Sequence, residues 1–233
     1  GRSHKVDPDL LTRSSKAFAM SLGDTAFALG AGRAAFDGAV TATTDDPADG
    51  HDGGMLLLTP PIGVRDVALR YLASRHRLLE LYRPNTRDGI DDYLRYRRSA
   101  LGIAQVPDTD TGIAMLRAAL RARGHVTLCP MQQPRLRGGE FVTFLGEPAL
   151  TATSIVELAA IDGVRTAFVF ALRVDGGFEI KVQPFEANPT DRTQYLLRMN
   201  EALERIVLAW PDQFRWQDKR FNIRPAGEGR LYR

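Results

Sequence analysis

Short apolar runs and amphipathic stretches take turns along most of this 233-residue chain, and that alternation restricts the fold more than any other feature. Met55–Leu58 is a four-residue apolar run closed by Thr59-Pro60-Pro61, the pattern of a strand buried on both faces. Asp66 then opens a helix running to about His76, where a carboxylate in the first turn suits the helix dipole. Leu78–Tyr82 predicts the next strand, ended by Arg83-Pro84-Asn85. Helix over Ile90–Leu101, strand over Ile103–Val106, helix over Gly112–Arg123 with Gly124 placed to end it, and strand over Val126–Cys129 follow. Beyond the loop Pro130–Gly139 come the apolar runs Phe141–Phe144 and Thr166–Leu172, with helix over Thr153–Ala160 between them. Gly176-Gly177 predicts a hairpin into Phe178–Val182. Last, Leu196, Met199, Leu203, Ile206, Val207 and Trp210 fall on one helical stripe. Strands alternating with helices predict an α/β fold with a mainly parallel central sheet flanked by helices. Ligands in such sheets sit beyond the carboxyl ends of the strands, which directs attention to the loops Thr59–Asp66 and Pro130–Gly139.

Residues 1–53 read as a helical leader, with helix-compatible spacing from Leu10 to Leu29, followed by a Thr/Asp/Gly-rich loop over Thr41–Gly54. Residues 54–233 read as the α/β domain. The composition, 44% hydrophobic and 25% charged with one cysteine, excludes disorder, an internal disulfide and a multi-cysteine metal site. Four scattered histidines offer no zinc set, so no metal is expected. No apolar run approaches the ~20 residues of a membrane span, and no signal peptide is recognised. A soluble or peripheral protein of a reducing compartment is expected, or a piece of one that carried an anchor. From Arg192 to Arg233 nine basic residues face five acids, an excess of four that could meet phosphates. Neither a nucleotide fingerprint nor interleaved basic and aromatic residues occur, so no nucleic-acid partner is expected. Cys129 in an apolar strand reads as a small core residue rather than a nucleophile.

Three motifs in order carry a family resemblance. The tail Trp210-Pro211-Asp212-Gln213-Phe214-Arg215-Trp216, then Lys219-Arg220-Phe221, Arg224-Pro225 and Tyr232, resembles the carboxyl-terminal signature "P-E-Q-Y-x-W-x-H-R-R-F-K-x-R-P" of the lipid A biosynthesis lauroyl/myristoyl acyltransferases, which belong to the glycerolipid (lysophospholipid) acyltransferase superfamily. Gly138-Gly139-Glu140-Phe141-Val142-Thr143-Phe144-Leu145-Gly146-Glu147-Pro148-Ala149 is similar to that family's "G-G-x-F-V-P-F-F-G-x-P-A", and Leu81-Tyr82-Arg83-Pro84 to its "L-Y-R-P". The resemblance implies a bacterial enzyme at the cytoplasmic face of the inner membrane. It would move a fatty acyl chain from an acyl carrier protein or coenzyme A thioester to a lipid hydroxyl, with no other cofactor. The family's base is the histidine of His-x-x-x-x-Asp/Glu, which takes the acceptor's proton while the carboxylate orients it.

The sequence departs from the family at that motif. "T-P-H-x-G-N-W-E" aligns with Thr59-Pro60-Pro61-Ile62-Gly63-Val64-Arg65-Asp66, so a proline, which cannot accept a proton, occupies the histidine position. The acid of "P-D-Q" is Met131, the tail histidine aligns with Asp218, and no segment matches the family's amino-terminal membrane helix. The candidate catalytic residues are accordingly Asp66, as the remaining acid of the dyad, and Gly63, as an oxyanion loop. Arg65 is a charge gained inside the motif, able to bind a phosphate or carboxylate or to pair with Asp66. The resemblance adds Arg83, Arg137 and Arg173 as headgroup contacts, against the plain reading of strand-end and surface arginines. Two function classes remain. One is an acyltransferase working without histidine on a lipid, hydroxyl or amine acceptor. The other is a pseudoenzyme that binds acyl chains, acyl carrier protein or a pathway enzyme.

Overall fold

The computed structural model describes residues 8–42, 48, 50–84, 88–134 and 136–232. His4, Asn85, Arg233 and positions 43–47 and 49 of the Thr/Asp/Gly-rich stretch lie outside them. Seven strands form one sheet in the order β1 (Val40–Ala42), β9 (Gly177–Phe185), β8 (Arg165–Val174), β2 (Met55–Leu58), β5 (His125–Leu128), β3 (Leu78–Tyr82) and β4 (Ile103–Pro107). The five from β8 to β4 run parallel; β9 turns back antiparallel on β8, and β1 lies parallel to β9. The fold is the α/β sandwich expected from the alternation.

The period-two geometry of β2 divides the core. Leu56 and Leu58 point into a cluster with Leu116 and Leu120 of α5 (Asp110–Arg121), Ile155 and Leu158 of α6 (Ser154–Ala159), and Leu196, Met199 and Leu203 of α7 (Arg192–Ala209). Met55 and Leu57 point the other way, against Val67 and Leu69 of α3 (Arg65–Ala73), Ala28 of α1 (Pro8–Gly30) and Phe36 of α2 (Arg33–Ala39). The remaining helix, α4 (Asp88–Ala100), connects β3 to β4. A strand with apolar groups on both faces can be satisfied only by two helical layers, which is why a wholly apolar run predicted a parallel strand.

Three local expectations change. Phe141–Phe144 belongs not to the main sheet but to a separate hairpin, β6 (Gly139–Phe144) with β7 (Glu147–Ala152). The hairpin closes through Leu145 and Gly146, both left-handed at φ +50° and +81°, a two-residue turn whose twist matches the strands. Thr41 lies in β1 rather than in the predicted loop; a three-residue edge strand carries no periodicity to read. After α5 the left-handed position is held by Arg123 (φ +60°), and Gly124 instead donates its N–H to Ala119 O at 2.8 Å.

Helix α1 is tied across the carboxyl ends of β2 and β8. Arg173 at the end of β8 forms an ion pair with buried Asp24. Arg70 of α3 donates to Ala28 O at 2.7 Å, Arg97 of α4 to Leu29 O at 2.9 Å through Nε, and Ser14 Oγ to Phe214 O at 3.3 Å.

Candidate functional site

The loop leaving β2 is held by its own backbone. Thr59 N–H donates to Leu128 O at 2.9 Å and its hydroxyl lies 3.2 Å from that of Thr127, which locks the exit of β2 to β5. Pro61 O accepts from Arg215 N–H at 3.0 Å, Gly63 N–H donates to Gln213 O at 2.9 Å, and Val64 N–H donates to Ala171 O at 2.8 Å. The loop is therefore wedged between β8 and the carboxyl-terminal segment. Gly63 sits at φ +58°, and a Cβ there would stand 1.9 Å from Ala171 O. The Gly63 N–H is given to Gln213 O, and the left-handed φ with the close Ala171 carbonyl calls for glycine at this position.

Position 65 opens α3, and its side chain turns beneath the sheet's carboxyl edge. Arg65 donates through Nη1 to Glu80 Oε1 at 2.5 Å and through Nε to Thr59 Oγ1 at 3.1 Å. It does not pair with Asp66. Asp66 is bound instead by Arg98 of α4, whose Nε and Nη2 both reach Oδ1, at 2.8 and 2.7 Å. Glu80, in the middle of β3 and wholly shut off from solvent, also accepts from Gln105 Nε2 at 2.7 Å and lies 3.9 Å from Arg98. Two guanidiniums and two carboxylates thus close a buried quartet of zero net charge. Burial alone would raise the Glu80 pKa, but Arg65 and Arg98, with the hydrogen bonds from Arg65 and Gln105, outweigh it and hold the carboxyl below its ordinary range. For Arg65 burial acts downward, yet Glu80 above all the other opposing charges leaves it higher than an ordinary arginine. Motif reading missed Glu80 and Arg98. The signal present was a lone acid inside the apolar run Leu78-Leu79-Glu80-Leu81, which a central strand tolerates only with a buried partner.

The quartet borders a cleft of 280 Å³ between α1, the β2–α3 loop and the carboxyl-terminal segment. Four of the candidate residues meet there: Gly63, Arg65, Asp66 and Arg173, together with Pro61. Phe18, Met20, Val64 and Phe214 supply apolar wall, and Arg13, Lys16 and Arg215 bring positive charge. Two candidates lie elsewhere. Arg83 caps the other edge of the sheet, donating to Asp108 Oδ2 at 2.6 Å and to Gln133 O at 2.8 Å, and Arg137 is exposed in the short 3-10 turn before β6. Cys129 packs partly buried against the core, as a small hydrophobe does.

Four of the basic tail residues are engaged within the protein. Arg198 pairs with Glu201, Arg215 with Asp218, and Arg224 with Glu147 and Glu228. Arg220 is buried, donating to Leu150 O at 2.6 Å and Thr151 Oγ1 at 2.8 Å, and burial pushes its pKa down to about 10. Two of the nine basic residues, Arg220 and Arg224, thus clamp the tail onto the β6–β7 hairpin. Of the polar side chains that line the cleft, Asp24 is taken by Arg173, Asp66 by Arg98, and Ser21 Oγ donates to Phe18 O at 2.7 Å. No cluster of metal-ligating side chains occurs among the described residues, and none of their helices is long and apolar enough to cross a membrane.

Comparison with known proteins places this arrangement. A family described as bacterial lipid A biosynthesis acyltransferase matches residues 46–222. The chain is 30% identical over 118 residues to the lipid A biosynthesis palmitoleoyltransferase of Escherichia coli (strain K12), covering 49% of this chain and 39% of that protein. The lipid A biosynthesis acyltransferase of Shigella flexneri matches at the same identity and coverage. The lipid A biosynthesis lauroyltransferase of Escherichia coli (strain K12) is 27% identical over 179 residues, covering 75% of this chain and 58% of the relative. The alignments span about two fifths to three fifths of those relatives' lengths, and helix α1 precedes the matched family region.

Proposed function

The chain belongs to the bacterial lipid A biosynthesis acyltransferase family, and from that premise we propose that it binds a fatty acyl group bearing an anionic headgroup in the cleft beside α1 without transferring it. One observation carries the reading: the motif loop holds proline where a base is needed, and its remaining carboxylate is ion-paired to Arg98. An acceptor hydroxyl, with a pKa far above 7, attacks a thioester only if a group in reach takes its proton. Pro61 cannot, and Asp66 with its charge compensated is a poor base. Binding needs less. Each methylene buried against Phe18, Met20, Val64 and Phe214 contributes about 0.8 kcal/mol, and Lys16 favours an anion at the same cleft.

In this reading the acyl group arrives as a thioester of acyl carrier protein or coenzyme A, or as part of a lipid, with the protein peripheral to the cytoplasmic face of the inner membrane. Arg65 and Arg173, each held by a carboxylate, serve as fixed polar wall; Arg83 and Arg137 lie outside the cleft. The test offers acyl carrier protein and coenzyme A thioesters of several chain lengths with hydroxyl and amine acceptors. Thioester loss and intact mass are followed, and binding is measured by calorimetry. Saturable binding that weakens in Lys16→Glu, with no thioester consumed, is expected. Turnover that disappears in Asp66→Asn would overturn the reading in favour of a transferase using Asp66 in place of histidine.

A further inference from the structure

The binding reading accounts for position 61 but not for Arg98, which sits thirty-two residues from the carboxylate it holds. We infer that Arg98 is a positioning residue that compensates the charge of Asp66, so that a base restored at position 61 would meet a carboxylate already committed; the inference rests on the binding reading. A carboxylate assists a neighbouring imidazole by stabilising the imidazolium, and that assistance depends on its net charge as the imidazole feels it. Here the guanidinium of Arg98 forks onto Asp66 Oδ1 at 2.7 and 2.8 Å, with both side chains nearly buried, so the pair presents little net field to the cleft. Arg65 and Glu80, the other half of the quartet, also cancel. Of the other charged groups that line the cleft, Asp24 is neutralised by Arg173 and Arg215 by Asp218, and Arg13, Lys16 and Asp212 line it as well. The acid five residues on from position 61 is therefore present but already paired. The loss of function in this loop is double: the base is gone from position 61, and its partner has been claimed by α4.

The experiment uses NMR titration of the ring protons of the introduced histidine, identified by difference from the wild-type protein, and needs neither ligand nor turnover. In Pro61→His the imidazole is expected to titrate at or below the ordinary value of about 6.5. Adding Arg98→Gln frees the carboxylate and raises that value by about one pH unit or more. Adding Asp66→Asn to Pro61→His, with Arg98 intact, leaves that guanidinium without its counter-charge and moves the value downward by about one unit. A value well above 6.5 in Pro61→His that collapses on Asp66→Asn would overturn the inference, as would an unmoved value in a folded Pro61→His/Arg98→Gln protein. Should that double variant not fold, the value in Pro61→His decides, since one well above about 6.5 overturns the inference. Turnover by the wild-type protein would defeat the binding reading and leave this titration unaffected, so the two fail separately.

Discussion

Replacing Glu80 by glutamine tests the buried quartet most directly. The substitution keeps shape and hydrogen-bonding capacity and removes one charge from a position with no solvent exposure. Arg98 retains Asp66, but Arg65 is left with neutral acceptors alone, and its guanidinium becomes an uncompensated charge beneath the sheet edge. Breaking a buried pair by removing one partner costs about 3–5 kcal/mol. The Arg65 side chain is 22% exposed, so water can reach one edge of it and the lower end, about 3 kcal/mol, is expected. With a urea m-value of about 3 kcal/mol/M, that loss appears as a fall of about 1 M in the unfolding midpoint at pH 7. The pH dependence has a definite sign. The carboxyl titrates lower in the folded than in the unfolded protein, so its stabilisation is complete above the unfolded value near 4.5 and disappears as pH falls through the lower, folded value. The gap between wild type and Glu80→Gln should therefore close only below pH 4.5. The double variant Arg65→Met/Glu80→Leu removes both charges and should recover most of the loss. A Glu80→Gln penalty under about 1 kcal/mol, or a double variant no more stable than the single one, would refute the account of the quartet.

Two further outcomes follow from single contacts. Gly63→Ala places a methyl 1.9 Å from Ala171 O at a left-handed φ, and should lower the thermal midpoint by several degrees; an unchanged midpoint would mean the loop is not wedged as described. Arg220→Ala strips Leu150 O and Thr151 Oγ1 of their donor, at a cost of about 1–3 kcal/mol, and hydrogen exchange in β6–β7 should quicken while β2 and β5 keep their protection.

Much of the architecture could be read in the chain because local pattern and tertiary environment agree there. Met55–Leu58 and Leu78–Tyr82 were expected as strands and are strands over those same residues. Asp66 was expected to open a helix and stands in the first turn of α3. The stripe from Leu196 to Val207 is the buried face of α7. The loop around Pro61 and Gly63, Asp66 and the end of β8 at Arg173 do gather at one cleft, where the carboxyl ends of parallel strands predict it. What pattern could not supply was pairing. Arg65 stands next to Asp66 in the chain, yet successive helical side chains diverge by about 100°, so each finds its partner elsewhere.

The alternation of apolar runs and amphipathic stretches by itself determined a two-faced parallel sheet with helices on both sides, since a strand apolar on both faces has no other way to leave water. The motif residues determined the family. Only the tertiary structure decided where the charges go: Arg65 to Glu80, fifteen residues on, Arg98 to Asp66, and Asp24 to Arg173 across 149 positions. Such pairings follow from which helix the sheet sets beside which strand end. In a buried site the cost of an uncompensated charge makes each of them obligatory once the backbone has brought the groups together.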